Sequence, residues 1–264
     1  MPYTHRHPQN WNNLPRRAWI TGAGKGIGRA LAEKLARLGW TVYASARTED
    51  DLKDLAAAAE SLTGEVFPLP LDINDRDACA AAVAEISKDG QPLGLVVLNA
   101  GTHTPTPVDE FDAETVGGLI GTNLTGTVNC LAPAMKLLAQ QGCGHIAVVA
   151  SLAGYRGLPR AAAYSASKAG LIAMAEALYP ELYRKGIAIS VINPGFVKTP
   201  LTDKNTFDMP FLIEVDEAVD AIMRGLERGK FEIAFPTRFV MIMRLLRALP
   251  YALYFKLTGK ILDR

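Results

Sequence analysis

The sequence is poor in cysteine and almost free of net charge. Its 264 residues carry a formal charge of +1, which gives no indication of a nucleic-acid partner. The three cysteines, Cys79, Cys130 and Cys143, form no C-x-x-C pair, and so small and odd a number argues against a disulfide framework. His5 and His7 lack a cysteine or acidic cluster that would complete a metal site. We therefore expect a cytoplasmic protein without a bound metal.

An export signal is not expected either. The twin arginine at Arg16-Arg17 is followed at once by Ala18-Trp-Ile-Thr and a glycine-rich turn, without the apolar segment that an exported chain carries. The pattern therefore predicts that no signal peptide is present.

What the sequence does contain is a regular alternation of strands and helices. Strands are predicted at residues 18–20, 41–45, 65–71, 95–98, 144–150, 187–192 and 231–235. Single helices are predicted at 29–38, 50–62, 74–88, 161–183 and 216–228, and more than one helix over about 112–140. Asn74 is the expected cap of the third helix. The alternation predicts an α/β fold, a three-layer doubly wound parallel sheet of Rossmann-like type with helices on both faces. One domain is expected over residues 1–264, with a loose leader at 1–15 and an apolar basic tail at 236–264.

A glycine-rich turn follows the first predicted strand. Its spacing is Gly22-x-x-x-Gly26-x-Gly28, at the start of a helix whose free N–H groups favour a pyrophosphate. This spacing differs from the G-x-G-x-x-G of the standard dinucleotide fingerprint, and a turn that merely needs small residues is the alternative. The place of the turn between the first strand and the first helix favours the dinucleotide.

A second motif joins Ser151 to Tyr164-Ser-Ala-Ser-Lys168. Tyr164 and Lys168 lie four residues apart in a predicted helix and therefore share one helix face. A neighbouring ammonium favours the phenolate, so we expect Lys168 to lower the pKa of Tyr164 toward the working range. Ser151 follows an apolar strand and should emerge at its carboxyl end, where open α/β sheets place ligands. Taken alone, Tyr-x-x-x-Lys also fits an ordinary helix with a half-buried tyrosine and a solvated lysine.

These motifs, in this order, resemble those of the short-chain dehydrogenase/reductase family over about residues 16–200. The resemblance implies a catalytic tetrad of Asn123, Ser151, Tyr164 and Lys168. It also implies that a nicotinamide cofactor contacts Gly22, Lys25, Gly26, Ile27, Gly28, Arg47, Asp72, Ile73, Asn99, Ala100, Gly101, Tyr164, Lys168, Pro194, Gly195, Val197 and Thr199. One residue departs from the family pattern. Leu98 replaces the first asparagine of Asn-Asn-Ala-Gly, which we expect to weaken the hydrogen bonding at that strand end.

The charges beside the second strand indicate which nicotinamide cofactor binds. A cofactor without a 2′-phosphate is usually held by an acidic residue at the end of this strand. Here the strand end reads Ala44-Ser-Ala-Arg-Thr, and the first carboxylate is Glu49. The guanidinium of Arg47 suits a phosphate, and Lys25 in the glycine turn adds a second positive charge. Two solvated surface cations are the alternative. The sequence favours NADP(H).

The family resemblance implies reduction of a carbonyl or oxidation of an alcohol. Tyr164 would protonate the carbonyl oxygen, Ser151 would stabilise it, and Lys168 would bind the nicotinamide ribose. Asn123 would hold a water molecule that relays protons to Lys168. A small-molecule substrate is expected beneath a short lid at residues 200–215, whose apolar second half suits a hydrophobic carbonyl. A non-catalytic NADP(H) sensor on the same fold is the alternative, and nothing in the sequence asks for epimerisation or dehydration.

The tail at 236–264 is not explained by the resemblance. Five residues fall at helical spacing on one apolar face, namely Phe239, Ile242, Met243, Leu246 and Leu249. Arg244 and Arg247 lie off that face, and the basic residues and Pro250 argue against a membrane-spanning helix. Residues 238–258 could pack on the protein itself, form a subunit contact, or lie in a lipid interface as a basic amphipathic helix. A homo-oligomer, dimer or tetramer, is also expected.

Overall fold

The computed structural model describes residues 10–204 and 208–260. Within those residues seven parallel strands form one sheet: β1 Arg17–Thr21, β2 Thr41–Ser45, β3 Glu65–Pro68, β4 Leu95–Leu98, β5 His145–Val149, β6 Ala188–Pro194 and β7 Glu232–Phe235. Their order is β3-β2-β1-β4-β5-β6-β7. The predicted α/β class, with its doubly wound parallel sheet, is confirmed.

Helices cover both faces of the sheet. They are α1 Gly26–Arg37, α2 Glu49–Ala59, α3 Arg76–Ser87, α4 Ala113–Ile120, α5 Gly126–Gln141, α6 Ala162–Arg184, α7 Val215–Glu227, α8 Thr237–Ala248 and α9 Tyr251–Gly259. Each face of the sheet buries its own apolar cluster, and β4 is buried along its whole length, as the apolar run of its sequence predicts.

The strand order reverses at β1. This strand pairs with β2 on one side and with β4 on the other, so the chain crosses the sheet in opposite directions from here. In open parallel sheets a crevice forms at such a switch point, outside the carboxyl ends of the strands. The glycine turn after β1 and the segments after β4, β5 and β6 therefore meet at one edge of the sheet.

No helix within residues 10–204 and 208–260 has both the length and the apolar character that crossing a membrane would require.

The helices predicted over about 112–140 are α4 and α5, which are joined by a π-helical turn, Gly121–Thr125. Two other predictions were wrong. The cap of α3 is Asp75, whose Oδ1 accepts a hydrogen bond from the Ala78 N–H at 2.9 Å, and not Asn74. Strand β3 ends at Pro68 instead of Leu71, although the Leu69 and Leu71 N–H groups still donate to the Ala44 and Ala46 carbonyl oxygens at 2.8 and 2.9 Å.

The leader was predicted as loose over residues 1–15, and its second part is ordered against the domain. Residues 11–13 form a 3₁₀ turn, and the Trp11 ring lies 5.1 Å from that of Trp40 between centroids. Leu14 is buried in the cluster on that face of the sheet. The aromatic ring and the leucine are the apolar groups that fix this segment. Residues 1–9, which include His5 and His7, lie outside the described residues.

One face of the C-terminal tail packs on the protein, which was one of the three alternatives. Val240 and Met243 are buried in the apolar cluster that also contains α5 and α6, and Phe239 and Leu246 are packed against it. Ile242 was predicted on this face and is exposed instead. Helix α8 is thus a structural part of the domain.

A pair of methionine substitutions in α8 tests this packing. Met243 is 2% exposed and Met241 is 68% exposed. Met243→Ala leaves a cavity and should lower the free energy of unfolding by about 2–5 kcal/mol. Met241→Ala should change it by no more than about 0.5 kcal/mol. Urea titration of both variants measures the difference, and equal losses would show that α8 does not pack as described.

Candidate active site

The glycine turn between β1 and α1 leaves no room for a side chain at Gly22 or Gly28. Gly22 has a φ of +67°, and a Cβ there would lie 2.7 Å from the Ala100 Cα. A Cβ on Gly28 would collide with the Gly22 carbonyl oxygen and with the Asn99 amide. The turn can therefore present its backbone at close range to a ligand, as a pyrophosphate requires. Ile27 is half-buried on the same turn.

Residues that follow β4 hold this turn in place. The Asn99 side-chain amide donates to the carbonyl oxygens of Thr21, at 3.2 Å, and Gly22, at 3.0 Å. The backbone N–H groups of Asn99 and Ala100 donate to the Thr21 hydroxyl at 3.1 and 3.2 Å. Leu98, which replaces an asparagine of the family pattern, is buried in the core. The hydrogen bonds at this strand end are made by Asn99 and Thr21. The side chain of Asn99 is thus a clamp on the turn.

Asp72 and Ile73 follow β3 at the same edge. The Asp72 carboxylate is exposed, and its Oδ1 accepts hydrogen bonds from the backbone N–H and the side chain of Asn74 at 2.9 and 3.0 Å. Ile73 is buried against α5, and its carbonyl oxygen accepts a hydrogen bond from Asn129 at 2.9 Å. These contacts fix the segment that would border an adenine.

Two cations lie at the other end of the glycine turn. Arg47 is exposed just after β2, and Lys25 is exposed in the turn itself. Lys25 forms an ion pair at 3.3 Å with Asp51, which was not predicted. A Cβ on Gly24 would lie 3.1 Å from the Asp51 Cβ, so this carboxylate faces the turn as well. Of the two cations, Lys25 is therefore the one whose charge is partly compensated.

Ser151 and Tyr164 meet at the carboxyl end of β5. Ser151 follows the strand and caps a 3₁₀ turn, accepting a hydrogen bond from the Ala153 N–H at 3.1 Å. Burial raises the pKa of the Tyr164 phenol, and a hydrogen bond with Ser151 opposes that increase. The sequence predicted a lowered pKa, which was wrong for the chain alone because the loss of water outweighs the favourable contacts. At neutral pH Tyr164 therefore holds its proton.

Lys168 is buried beside Tyr164. Its Nζ donates a hydrogen bond to the Val149 carbonyl oxygen at 2.9 Å and lies 5.7 Å from the centroid of the Tyr164 ring. Burial lowers the pKa of Lys168 to about 8, because the ammonium has left water. The lysine is thus not the solvated side chain of an ordinary helix face, which was the alternative to a functional role.

Asn123 lies in the π-helical turn and is fully buried. Its Oδ1 accepts a hydrogen bond from the Thr102 N–H at 2.7 Å, and its Nδ2 donates to the Thr102 carbonyl oxygen at 2.9 Å. Gly101 lies between Asn123 and Lys168, since a Cβ there would be 3.1 Å from Oδ1 and 3.5 Å from Nζ. The structure thus brings Asn123, Gly101 and Lys168 together. Such π turns often accompany functional sites.

The segment after β6 borders the glycine turn. Thr199 lies against the turn, because a Cβ on Gly26 would be 3.1 Å from the Thr199 Cγ2. Val197 is buried and pairs with Ile213 in a parallel bridge. Pro194 ends β6, and the Gly195 N–H donates to the Phe235 carbonyl oxygen at 2.7 Å. Of the predicted lid at 200–215, residues 205–207 lie outside the described part.

Helix α8 supports this segment from behind, which was not predicted. A Cβ on Gly195 would lie 2.7 Å from the Phe239 ring. That ring stacks on Phe196, with 5.5 Å between centroids, and on Phe211, with 6.1 Å. A side chain at position 195 would therefore have to displace the Phe239 ring. The only sequence feature that could have indicated this contact is Phe239, the one aromatic residue on the otherwise aliphatic face of the tail helix.

A polar network, also not predicted, joins the segment after Ser151 to the tail. The Glu232 carboxylate accepts hydrogen bonds from the Tyr155 hydroxyl at 2.6 Å, from Asn193 at 3.1 Å and from Arg244 at 2.6 Å. Burial and the Glu232 carboxylate raise the pKa of Tyr155. The partners are separated by 77 residues in the case of Tyr155, so no local pattern reveals the network.

Comparison with known proteins agrees with this geometry. A family model described as short chain dehydrogenase matches residues 16–209. The chain therefore belongs to the short-chain dehydrogenase/reductase family.

Three relatives span most of the chain. An uncharacterized oxidoreductase of Myxococcus xanthus is 39% identical over 239 residues, which are 90% of this chain and 94% of that protein. A 3beta-hydroxysteroid dehydrogenase of Mediterraneibacter gnavus is 36% identical over 191 residues, 72% of this chain and 69% of that protein. A short-chain dehydrogenase of Burkholderia cenocepacia, solved in complex with NADP, has a TM-score of 0.79 and 30% identity, covering 95% of this chain and 98% of its own.

The burial of Lys168 predicts a specific dependence of stability on pH. Between pH 8 and 10.5 the unfolded chain retains the Lys168 proton and the folded chain releases it, so this lysine makes stability rise with pH over that interval. Relative to Lys168→Met, the wild-type free energy of unfolding should increase by about 3 kcal/mol from pH 8 to 10.5, because each tenfold difference in proton affinity corresponds to about 1.4 kcal/mol.

Denaturant titrations at several pH values measure this difference. Lys185→Met is the matched control, because Lys185 is an exposed lysine just after the end of the same helix. The difference in the free energy of unfolding between Lys185→Met and the wild type should not change between pH 8 and 10.5. A Lys168→Met difference that is equally flat would contradict the burial of a charged amine.

Proposed function

We propose that the protein is an NADP(H)-dependent oxidoreductase that interconverts a carbonyl and an alcohol. The observation that carries the proposal is the cluster at the carboxyl end of β5, where the Ser151 hydroxyl, the Tyr164 phenol and the buried Lys168 amine meet. A buried amine is costly to fold, and a binding module does not need a protonated phenol beside it. The cluster therefore favours an enzyme over a sensor.

The crevice fits a nicotinamide dinucleotide. Gly22, Gly26, Ile27 and Gly28 form a turn whose backbone can approach the pyrophosphate, since no side chain stands at Gly22 or Gly28, where one would collide with the neighbouring backbone. Asp72 and Ile73 would border the adenine, with Asn99, Ala100 and Gly101 along the floor. Pro194, Gly195, Val197 and Thr199 would flank the nicotinamide, and Lys168 would bind its ribose. The cofactor supplies the hydride for the carbonyl carbon.

Each residue of the cluster has a role that its geometry supports. At neutral pH Tyr164 keeps its proton and would donate it to the carbonyl oxygen as negative charge develops. Ser151, at hydrogen-bond reach of Tyr164, would stabilise that charge. Lys168 carries a positive charge below a pH of about 8, which favours loss of the Tyr164 proton. Asn123 and Gly101 lie beside Lys168, where a water molecule held by Asn123 would return protons to it.

Arg47 favours NADP(H), because its guanidinium could bind the 2′-phosphate that this cofactor carries at its adenosine end. This guanidinium is exposed after β2, at the position where an acidic residue would hold a free 2′-hydroxyl. Lys25 would contribute less than the sequence suggested, because Asp51 shares its charge. The Burkholderia cenocepacia relative, solved with NADP, supports the same preference.

An apolar carbonyl compound is the substrate class that fits the entrance. Phe196 and Phe211 stack against Phe239 at the lid segment, and the His103 ring lies edge-on to Tyr164 with 4.8 Å between centroids. The Mediterraneibacter gnavus relative is named for a steroid alcohol.

A homo-oligomer stays a prediction, to be checked by sedimentation velocity.

The proton donor is tested by Tyr164→Phe. This change removes the phenolic hydroxyl and keeps the ring, so turnover should fall by roughly 10² to 10⁴ while NADPH affinity changes little. The assay follows NADPH oxidation with a panel of aldehydes and ketones, and NADPH binding by fluorescence. Tyr179→Phe, at the other end of α6, is the matched control and should keep wild-type turnover. Near-normal turnover of Tyr164→Phe would refute the mechanism.

The same panel separates an enzyme from a sensor. We expect at least one carbonyl compound that wild-type protein reduces and Tyr164→Phe does not. Binding of NADPH without turnover on any member of a broad panel would support the sensor.

The cofactor preference is tested by Arg47→Ala. Hydrogen bonds to charged groups contribute about 1.5–3 kcal/mol, so the loss of Arg47 should weaken NADPH binding by roughly ten- to a hundredfold. NADH binding should be almost unaffected, because it lacks the phosphate. Arg37→Ala, an exposed arginine at the end of α1, is the control. Adding Ala46→Asp to Arg47→Ala should invert the preference. A wild-type protein that already prefers NADH would contradict the assignment.

A further inference from the structure

Both tail helices expose large apolar side chains. Seven of the fourteen exposed large apolar side chains in the described part of the chain lie within residues 241–257. We call them the outer tail face: Met241, Ile242, Leu245, Tyr251, Leu253, Phe255 and Leu257. Leu245 is 64% exposed and Tyr251 is 71% exposed. Concentration of this kind marks an interaction surface, because single exposed apolar residues are ordinary and clusters are not.

Helix α8 is apolar on two opposite sides. Val240 and Met243 are buried in the core, whereas Met241 and Leu245, four residues apart, share the side that faces outward. A helix that packs on one face normally has a polar opposite face. The second apolar side of α8 therefore has to be explained by something that covers it.

The outer tail face is held rigidly. Arg156 Nη1 donates hydrogen bonds to three carbonyl oxygens at the end of α8, those of Leu246, Arg247 and Leu249, at 2.8, 2.9 and 2.6 Å. The same guanidinium lies 4.1 Å from the centroid of Tyr254, whose hydroxyl donates to the Gly157 carbonyl oxygen. Both tail helices are thus fixed to the segment after Ser151. Their apolar side chains cannot fold inward without breaking these contacts.

Charge identifies the surface that the face would meet. Residues 236–262 include no acidic residue, and they carry Arg238, Arg244, Arg247, Lys256 and Lys260. Arg244 forms an ion pair with Glu232. Arg247 and Arg156 line a cleft of about 480 Å³ beside Tyr251. Exposed apolar side chains surrounded by positive charge complement the headgroups and acyl chains of an anionic bilayer.

A second copy of the chain is a poorer partner for this face. A two-fold contact places the same surface on both subunits, so Arg238, Lys256 and Lys260 would lie opposite like charges. Residues 236–262 have no carboxylate side chain that could compensate them. An apolar contact between copies would therefore concentrate positive charge, whereas a negatively charged bilayer would neutralise it.

We propose that the outer tail face docks the protein on the surface of an anionic lipid bilayer, with its apolar side chains in the interface and its cations at the headgroups. Docking is independent of the proposed reaction, because none of the seven side chains belongs to the catalytic cluster or the cofactor crevice. The docked helix is nevertheless the one whose Phe239 supports the cofactor segment after β6.

Co-sedimentation with vesicles tests the proposal. The full chain is mixed with vesicles of phosphatidylcholine alone or with phosphatidylserine added, at low and at high salt. We expect pelleting with the anionic vesicles at low salt and much weaker pelleting with the neutral ones. High salt should reduce binding, because it screens the cations. A full chain that stays in the supernatant with anionic vesicles at low salt overturns the proposal, as does equal binding to both kinds of vesicle.

Two sets of variants separate the apolar and the charged contributions. The apolar variant is Met241→Gln with Leu245→Gln, and its control is Val108→Gln with Phe111→Gln, which are exposed apolar residues outside the tail. The apolar variant should bind anionic vesicles at least roughly tenfold more weakly, because two side chains lose their burial. The control should bind like the wild type.

The charge variant combines Arg238→Gln, Lys256→Gln and Lys260→Gln, and its control combines Arg37→Gln, Lys136→Gln and Lys185→Gln. Each cation near an anionic surface contributes about fivefold, so three should contribute roughly a hundredfold. A charge control that loses as much binding as the charge variant would indicate general attraction of a cationic protein and overturn the proposal.

Circular dichroism melting and sedimentation velocity complete the experiment. All variants alter exposed residues and should melt within a few degrees of the wild type, so that a loss of binding reports the surface. If the apolar variant changes the oligomeric state and leaves vesicle binding unchanged, the outer tail face is a contact between copies, and the bilayer proposal is wrong.

Discussion

One hydrogen bond, from the buried Lys168 amine to the Val149 carbonyl oxygen, holds the candidate site together. It ties α6 to the end of β5, and so determines where Tyr164, one turn earlier on the same helix, meets Ser151. Because burial lowers the pKa of the amine to about 8, the group is close to losing its charge at the pH where the site would work. The position of Tyr164 and the charge of Lys168 thus depend on the same buried contact. Burying the Lys168 ammonium away from water costs free energy, which the rest of the fold must offset.

The rest of the cleft is built from segments distant in sequence that meet because parallel strands end at one edge. The glycine turn after β1 is held by Asn99 after β4, and Gly195 after β6 is packed against Phe239 in the tail. A further link runs from Tyr155 through Glu232 to Arg244. The inner side of the tail helices therefore packs on the domain. Their outer side is available for another surface.

Much of this could be predicted from the sequence, because it rests on local patterns. Apolar runs indicated the strands, and the four-residue spacing of Tyr164 and Lys168 placed both on one helix face. The family resemblance implied that Ser151 joins them. The errors come from effects that need coordinates. The sequence places a cation beside a phenol, but burial decides the sign of the Tyr164 pKa shift. Likewise Arg156 contacts carbonyl oxygens 90 residues or more further along the chain, and no periodicity in the tail reveals that α8 has two apolar sides with different partners.

The central claim is that Tyr164 is the proton donor of a cofactor-loaded site. It is tested most directly by titrating the phenol itself, with ¹³C-labelled tyrosine followed by NMR and the Tyr164 signal assigned from its absence in Tyr164→Phe. In the free chain burial keeps this pKa above that of an ordinary tyrosine, and Lys168 loses its proton first. Oxidised NADP brings a cationic nicotinamide to the cleft, so we expect saturation with it to lower the Tyr164 pKa. A Tyr164 pKa that is the same with and without the oxidised cofactor would contradict the claim.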